Sequence, residues 1–305
     1  MAPGPSSVAV VFPGQGTQAP AMAAPWRDHE AWGVVERAEK VLDQPLAPLL
    51  TDPDHRPSGT REAQLAVLLT SLVAWEAVQP ALAAPPAAMA GHSLGQVTAV
   101  IAAGAVGIDE GLRFAARRAE LTQAAADQRP GAMVALLGAD ATVAEEACAD
   151  RDDAWLANDN APGQLVIAGT PEGVEAAAER ALALGARRAR PLDVGGAFHT
   201  PLMAMARPGL TDALAGITLA DPICPVVSNH DGQPYGNGAG WARRLVDHVT
   251  QPVRFRACLE SLAALGVTTL VEVGRGSMIA GLAKRAVPTV EVVGVATPAD
   301  LRALA

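Results

Sequence analysis

A mixed α/β fold is predicted for this chain, as a large domain on a parallel sheet interrupted by a small inserted domain, and three observations predict it. The run "SVAVVF" (7–12) is β-rich and closes on Pro13-Gly14, after which the apolar spacing changes to that of helices. Between about 130 and 195, short strands and helices alternate within some sixty residues. Strand and helix signals then resume to the end, as a sheet completed after an insertion would require.

In chain order, 7–12 reads as a buried strand entering a loop, and apolar residues recur at helical spacing around 30–42, 62–79, 94–104 and 109–126. Pro80, Pro85 and Pro86 end the second of these helices. The inserted segment reads strand "AMVALLG", helix "TVAEEACAD", strand "QLVIAG", helix "PEGVEAAAERALALG" and strand "ARRARPLDV", the pattern of a ferredoxin-like unit. The large domain is therefore assigned to 1–129 and 196–305, and the small one to 130–195. "PICPVVSN", a helix from about 240, the helix "FRACLESLAALG", the strand "TTLVEVG" and a final helix complete the larger sheet.

Composition narrows the function. The chain has 305 residues and is 50% hydrophobic, enough for a large core. Cys148, Cys224 and Cys258 lie far apart, which argues against a disulfide framework or zinc site and fits a reducing compartment, the cytoplasm by default. The start lacks a charged leader with a long apolar stretch, and no later apolar run reaches the roughly 18 residues of a membrane span. A net charge of -9 offers no general attraction to nucleic acid or anionic membranes, so an acidic partner must find a local basic patch. The Ala, Gly, Pro and Arg bias fits a GC-rich genome and carries no functional weight.

Gly91-His92-Ser93-Leu94-Gly95 fits G-x-S-x-G. A strand that turns this sharply into a helix leaves no room for side chains beside the serine, and it holds the Ser93 hydroxyl at a helix N-terminus where N–H groups can stabilise an oxyanion. An ordinary strand–helix turn with a capping serine has the same pattern. A serine needs a base. His199, in "GGAFHTPLM" after the flexible Gly195-Gly196, is the best placed of six histidines. His29, His55 and His230 lie in polar or turn-rich stretches, and the His92 side chain is expected to point away from the nucleophile. Asp193, six residues before His199, has no claim to be a third member, so a dyad is the reading.

With these residues in view, the sequence resembles the malonyl-CoA:acyl carrier protein transacylases and the related acyltransferase domains of polyketide synthases. The resemblance covers nearly the whole chain. It rests on "VFPGQGTQ" (11–18), "GHSLGQ" (91–96), "AARRAELTQ" (115–123), "PGAMVALLG" (130–138), "NDNAPGQLVIAG" (158–169), "GAFHTPLM" (196–203), "QPVRF" (251–255) and "VEVGRGSMIAGL" (271–282), in that order. It implies a large α/β-hydrolase-like domain, a Ser93 acyl-enzyme with His199 as base, and an oxyanion hole from the backbone N–H groups of Gln15 and Leu94. The histidine would be held by backbone carbonyls rather than by an acid.

The resemblance also places Arg118 where the family binds the malonyl carboxylate, and a guanidinium can do so through two parallel hydrogen bonds. Arg117 points about 100° away around the helix and cannot share that role. Phe198 occupies the position at which malonyl-using members carry phenylalanine and methylmalonyl-using members usually carry serine. Asn160 matches a family asparagine near the active site, although an Asn in a Pro-Gly turn is as readily structural. No metal or redox cofactor is implied. The partners are malonyl-CoA and an acyl carrier protein, whose acidity makes Arg187, Arg188 and Arg190 docking candidates unless they form only a solvated edge.

Three positions depart from the family pattern: Gln96 stands for the usual Glu, Ala119 for Gly, and His248 for a glutamine whose main chain helps hold the catalytic histidine. At His248 either the carbonyl alone matters, or the second imidazole adds to substrate choice or pH dependence. Malonyl transfer in fatty acid or polyketide synthesis is the expected function. Transfer of another acyl unit, thioester hydrolysis on the same dyad and a non-catalytic docking subunit are the alternatives.

Overall fold

The computed structural model describes residues 7–304; residues 1–6, on which part of the expectation of no leader rests, and Ala305 lie outside the described residues. The chain opens with β1 (Val8–Phe12) and the helices α1 (Gly33–Leu42), α2 (Ala47–Thr51) and α3 (Gly59–Val78). Then β2 (Ala88–Gly91) turns into α4 (Leu94–Ala102), and α5 (Ile108–Gln128) follows. Next come β3 (Ala132–Leu137), α6 (Ala141–Cys148), β4 (Ala154–Ala161), β5 (Gln164–Gly169), α7 (Pro171–Ala183) and β6 (Arg188–Pro191). The last third holds α8 (Arg207–Leu214), β7 (Val226–Val227), β8 (Pro234–Tyr235), α9 (Trp241–Asp247), β9 (Val253–Arg254), α10 (Phe255–Ala264), β10 (Thr269–Val273), α11 (Met278–Ala286) and β11 (Glu291–Val295).

Six strands form one sheet in the order β11-β10-β1-β2-β7-β8, parallel throughout except at the β7–β8 edge. A parallel strand covered on both faces reads as a continuous apolar run, which is why "VAVVF" carries no polar residue. Its side chains divide by parity. Val10 and Phe12, with Met89 of β2, face the core made with α1, α3, α4 and α5. Ala9 and Val11, with Ala88 and Ala90, face the core made with α10 and α11. Among the described residues no helix is long and apolar enough to cross a membrane.

The second sheet runs β6-β3-β5-β4-β9. On one face Val134, Leu136 and Ile167 pack against α6 and α7. On the other, Met133, Ala135, Val166 and Ala168 meet Ala197 and the edge of Phe198. Three details differ from the sequence expectation. The inserted segment holds an additional strand, β4, which the sequence hides because "AWLANDNA" lacks an alternating apolar stripe; pairing with β5 fixes it, with slips between Leu156 and Asn158 and again between Asp159 and Ala161. The sheet is also not closed within 130–195, since β9 joins β4 in parallel. Beyond the final expected helix, β11 adds an edge strand to the large sheet.

Candidate active site

β2 ends at Gly91 and α4 begins at Leu94, so the chain reverses over two residues. Ser93 sits at φ 53°, ψ -108°, a conformation that costs a non-glycine residue about 1–3 kcal/mol. A Cβ on Gly91 would enter the Gly95 carbonyl and one on Gly95 would enter the Phe12 carbonyl, so both glycines of the motif are steric requirements. The result aims Ser93 Oγ at His199 Nε2, 2.7 Å away.

His199 also has a positive φ, 64°. Its backbone N–H donates to the Val249 carbonyl at 3.2 Å, and Nδ1 lies 2.9 Å from the His248 carbonyl. A carbonyl can only accept, so Nδ1 carries the proton and Nε2 is left to accept from the serine hydroxyl. Burial pulls the imidazole down to a pKa of about 3; the His248 carbonyl opposes the shift, while Arg118 and His92 add to it. His199 is therefore neutral and ready as a base at ordinary pH. Asp193 is exposed and lies on the wall of a neighbouring cavity.

Ser93 and His199 open into a cavity of about 200 Å³ whose wall includes Arg118, Gln64, Phe198 and the β3–β5 face of the small sheet. Arg118 is 3% exposed. It donates through Nη1 to Gln64 Oε1 at 2.5 Å, and its Nε meets no protein acceptor. Gln64 Nε2 donates to Thr122 Oγ1, which donates to the Arg118 carbonyl, so one network fixes the guanidinium. Burial lowers the Arg118 pKa to about 10, which leaves it cationic at neutral pH. No carboxylate pairs with it among the described residues. A buried, unpaired cation is costly unless an anion completes it.

Gln15 and Leu94 both line the cavity. The Leu94 N–H is first in its helix and has no intrahelical acceptor, and neither N–H is bonded to a described residue. Asn160 stands at the end of β4, with Oδ1 2.7 Å from His92 Nε2. His92 is among the residues lining the cavity, and its ring turns edge-on to Phe255 with Nε2 toward Asn160. His248 does not line it. Its ring lies against that of His199, with centroids 5.0 Å apart and neither nitrogen hydrogen-bonded, and its carbonyl accepts from His199 Nδ1. Sequence reasoning missed Gln64 and Asn229; a glutamine directly before the apolar run "LAVLLTSLVAW" (65–75) was the available signal for the first.

Of the other histidines, His230 is exposed, His29 caps a 3-10 turn against Trp26, and His55 pairs with Glu62. Arg187, Arg188 and Arg190 are exposed at β6, the edge of the small sheet. Arg190 pairs with Ala135, and Arg188 with Leu137. Directly paired residues share a face, and Ala135 lines the cavity, so Arg188 and Arg190 stand on the cavity side of that edge. Among the described residues no cluster of three metal-ligating side chains occurs.

Residues 9–299 match the family described as acyl transferase domain. The chain is 37% identical over 303 residues to the malonyl CoA-acyl carrier protein transacylase of Mycobacterium bovis, covering 98% of this chain and 99% of the relative. It is 35% identical over 300 residues to that of Bacillus subtilis, covering 96% and 94%. Among solved structures, the malonyl-CoA:acyl carrier protein transacylase of Xanthomonas oryzae superposes with a TM-score of 0.91 at 34% identity, over 98% of this chain and 97% of that one. A malonyl-transacylase in complex with a type II polyketide synthase acyl-carrier protein gives 0.92 at 33% identity, over 98% and 99%.

Proposed function

This chain belongs to the acyl transferase domain family, and from that premise we propose how its residues move a malonyl group from malonyl-CoA to the phosphopantetheine thiol of an acyl carrier protein. The activity is that of a malonyl-CoA:acyl carrier protein transacylase, in fatty acid or polyketide synthesis. The observation that carries the mechanism is the 2.7 Å contact between Ser93 Oγ and a neutral His199 in a cavity that also holds an unpaired Arg118.

His199 Nε2 takes the hydroxyl proton as Ser93 Oγ bonds to the thioester carbon. The oxyanion lies against the N–H groups of Gln15 and Leu94, each worth about 10²–10³ in rate. The C–S bond breaks, the proton passes from His199 to the departing CoA thiolate, and Ser93 is left malonylated. The carrier's thiol then gives its proton to His199, its sulfur bonds to the ester carbon, and the Ser93 oxygen recovers the proton as the C–O bond breaks. The thioester supplies the activation, so the route needs no metal or redox cofactor.

Arg118 receives the malonyl carboxylate, oriented by Gln64. Phe198 fills the space that a branch at C2 would need, Asn160 fixes the His92 wall, and His248 orients the base through its carbonyl. Arg187, Arg188 and Arg190 offer the carrier a basic edge. The large unit is read as α/β-hydrolase-like for its parallel sheet and serine turn. The small one, 130–195, is read as ferredoxin-like for the order β6-β3-β5-β4. The widely spaced cysteines fit a reducing compartment, for which the cytoplasm is the default reading.

The test is intact-protein mass spectrometry with malonyl-CoA, with and without holo carrier protein. One malonyl group is expected on Ser93, and the carrier is expected to collect it. Release as free malonate with carrier present would make the protein a hydrolase, and no adduct at all would remove the mechanism.

A further inference from the structure

We propose that Asn229 is a positioning residue for acyl transfer, a clamp that holds the Ser93 turn in its strained, reactive form. The inference rests on the transferase reading above and concerns a residue outside the cavity wall. Asn229 follows β7 and is fully buried. Its carboxamide spans the nucleophile turn: Oδ1 accepts from the Ser93 N–H at 2.9 Å, and Nδ2 donates to the Gly91 carbonyl at 2.8 Å.

The main chain of Asn229 is equally committed. Its N–H donates to Gln96 Oε1 at 2.6 Å and its carbonyl accepts from the Arg254 N–H at 2.8 Å. Gln96 belongs to the first turn of α4, so the clamp is anchored to the helix that the turn starts. Both carboxamide atoms and the backbone N–H of Asn229 are thus directed at the turn or at the helix it starts, while its carbonyl ties it to β9 and Nδ2 also lies 3.5 Å from Cys258 Sγ.

Two consequences follow for the chemistry. Ser93 would relax toward a commoner backbone conformation if its N–H were free to rotate, and Oγ would leave the line to His199 Nε2. By accepting the Ser93 N–H, the carboxamide also removes that donor from the oxyanion site and leaves the role to Leu94 and Gln15. Neither consequence touches Arg118, so the clamp acts on the rate of acylation and not on binding of the acid.

The experiment compares the parent with Asn229→Ala and Asn229→Asp. The aspartate keeps the shape and the acceptor for Ser93 but sets an oxygen against the Gly91 carbonyl, and it covers the case in which the alanine variant does not fold. Malonylation of Ser93 is followed by mass spectrometry, and Ser93 is labelled separately with a fluorophosphonate, which needs an activated serine but no malonyl group. Acylation is expected to slow by about 10²-fold in Asn229→Ala and at least about tenfold in Asn229→Asp, with KM for malonyl-CoA within about threefold and fluorophosphonate labelling slowed in parallel. Either folded variant acylating within twofold of the parent would overturn the clamp, as would a change confined to KM or to thermal stability. A parent that takes the fluorophosphonate but no malonyl group would instead remove the transferase reading and leave the clamp to be judged on labelling alone.

Discussion

At Arg118 the chain keeps a buried guanidinium that no described carboxylate neutralises, and an acid-tipped substrate is the natural complement. Losing one partner of a buried charge pair costs about 2–5 kcal/mol, so Arg118→Ala should lower kcat/KM for malonyl-CoA by at least about thirtyfold while acetyl-CoA is used no worse than before. Equal losses with both donors would show that Arg118 is structural. The neighbouring imidazoles make a pH prediction. His199, His92 and His248 are all driven below the ordinary histidine value, by burial first. Malonylation should therefore show no acid limb near pH 6.5, and a limb centred there in a rate profile from pH 5 to 8 would mean that the base is not the buried His199. For stability the sign follows from proton uptake. Below pH 6.5 the unfolded chain binds protons that these buried rings refuse, so stability is full above that value and declines as pH falls toward the folded values. Each ring contributes up to about 1.4 kcal/mol per pH unit, and Glu272, pushed up by burial, works with the opposite sign. Urea midpoints at pH 7.5 and 5.5 should draw apart in the parent and less so in His248→Gln; an unchanged gap in that variant would exclude its ring from the effect.

Among the elements, the β2–α4 turn was legible because its rule is local: two glycines are needed where backbone would otherwise meet backbone. Gly95→Ala forces a methyl into the Phe12 carbonyl, which cannot give way, and should cost about 3 kcal/mol or more. Gly281 is the control. It lies exposed inside α11 with nothing near its Cβ direction, so Gly281→Ala should stabilise by about 0.5–1 kcal/mol. Chemical denaturation of both variants checks the pair, and a neutral Gly95→Ala would contradict the close approach. β4 was not legible for the converse reason. Asn158 and Asn160 face the cavity rather than a core, so the strand shows no apolar period, and only its partner β5 fixes it. Gln64 and Asn229 stayed hidden because their partners lie 54 and 136 positions away in the chain. The resemblance to a family supplied Arg118 and Gln15, which no spacing rule singles out.

On the scale of the whole molecule, neither sheet makes the site alone. Ser93 and the Arg118 helix belong to the large sheet and its covering layer, the cavity floor is the small sheet, and His199 lies in the connection between them. A carrier protein must therefore approach where the two units meet, and Arg188 and Arg190 stand on the cavity side of the β6 edge there. The chain as a whole carries a net charge of -9, which repels an acidic carrier at long range. Local guanidinium groups have to overcome that field, and their effect must fade as salt screens it beyond about 10 Å at 0.1 M. Replacing Arg188 and Arg190 together by Glu should raise KM for the carrier about tenfold at low ionic strength and much less at high, with Ser93 malonylation by malonyl-CoA changed by less than about twofold. Transfer rates against carrier concentration at two salt levels measure both halves. A carrier KM that ignores the substitutions would put the docking surface on another face, and an equal slowing of the first half-reaction would assign the two arginines to the phosphates of the CoA donor instead.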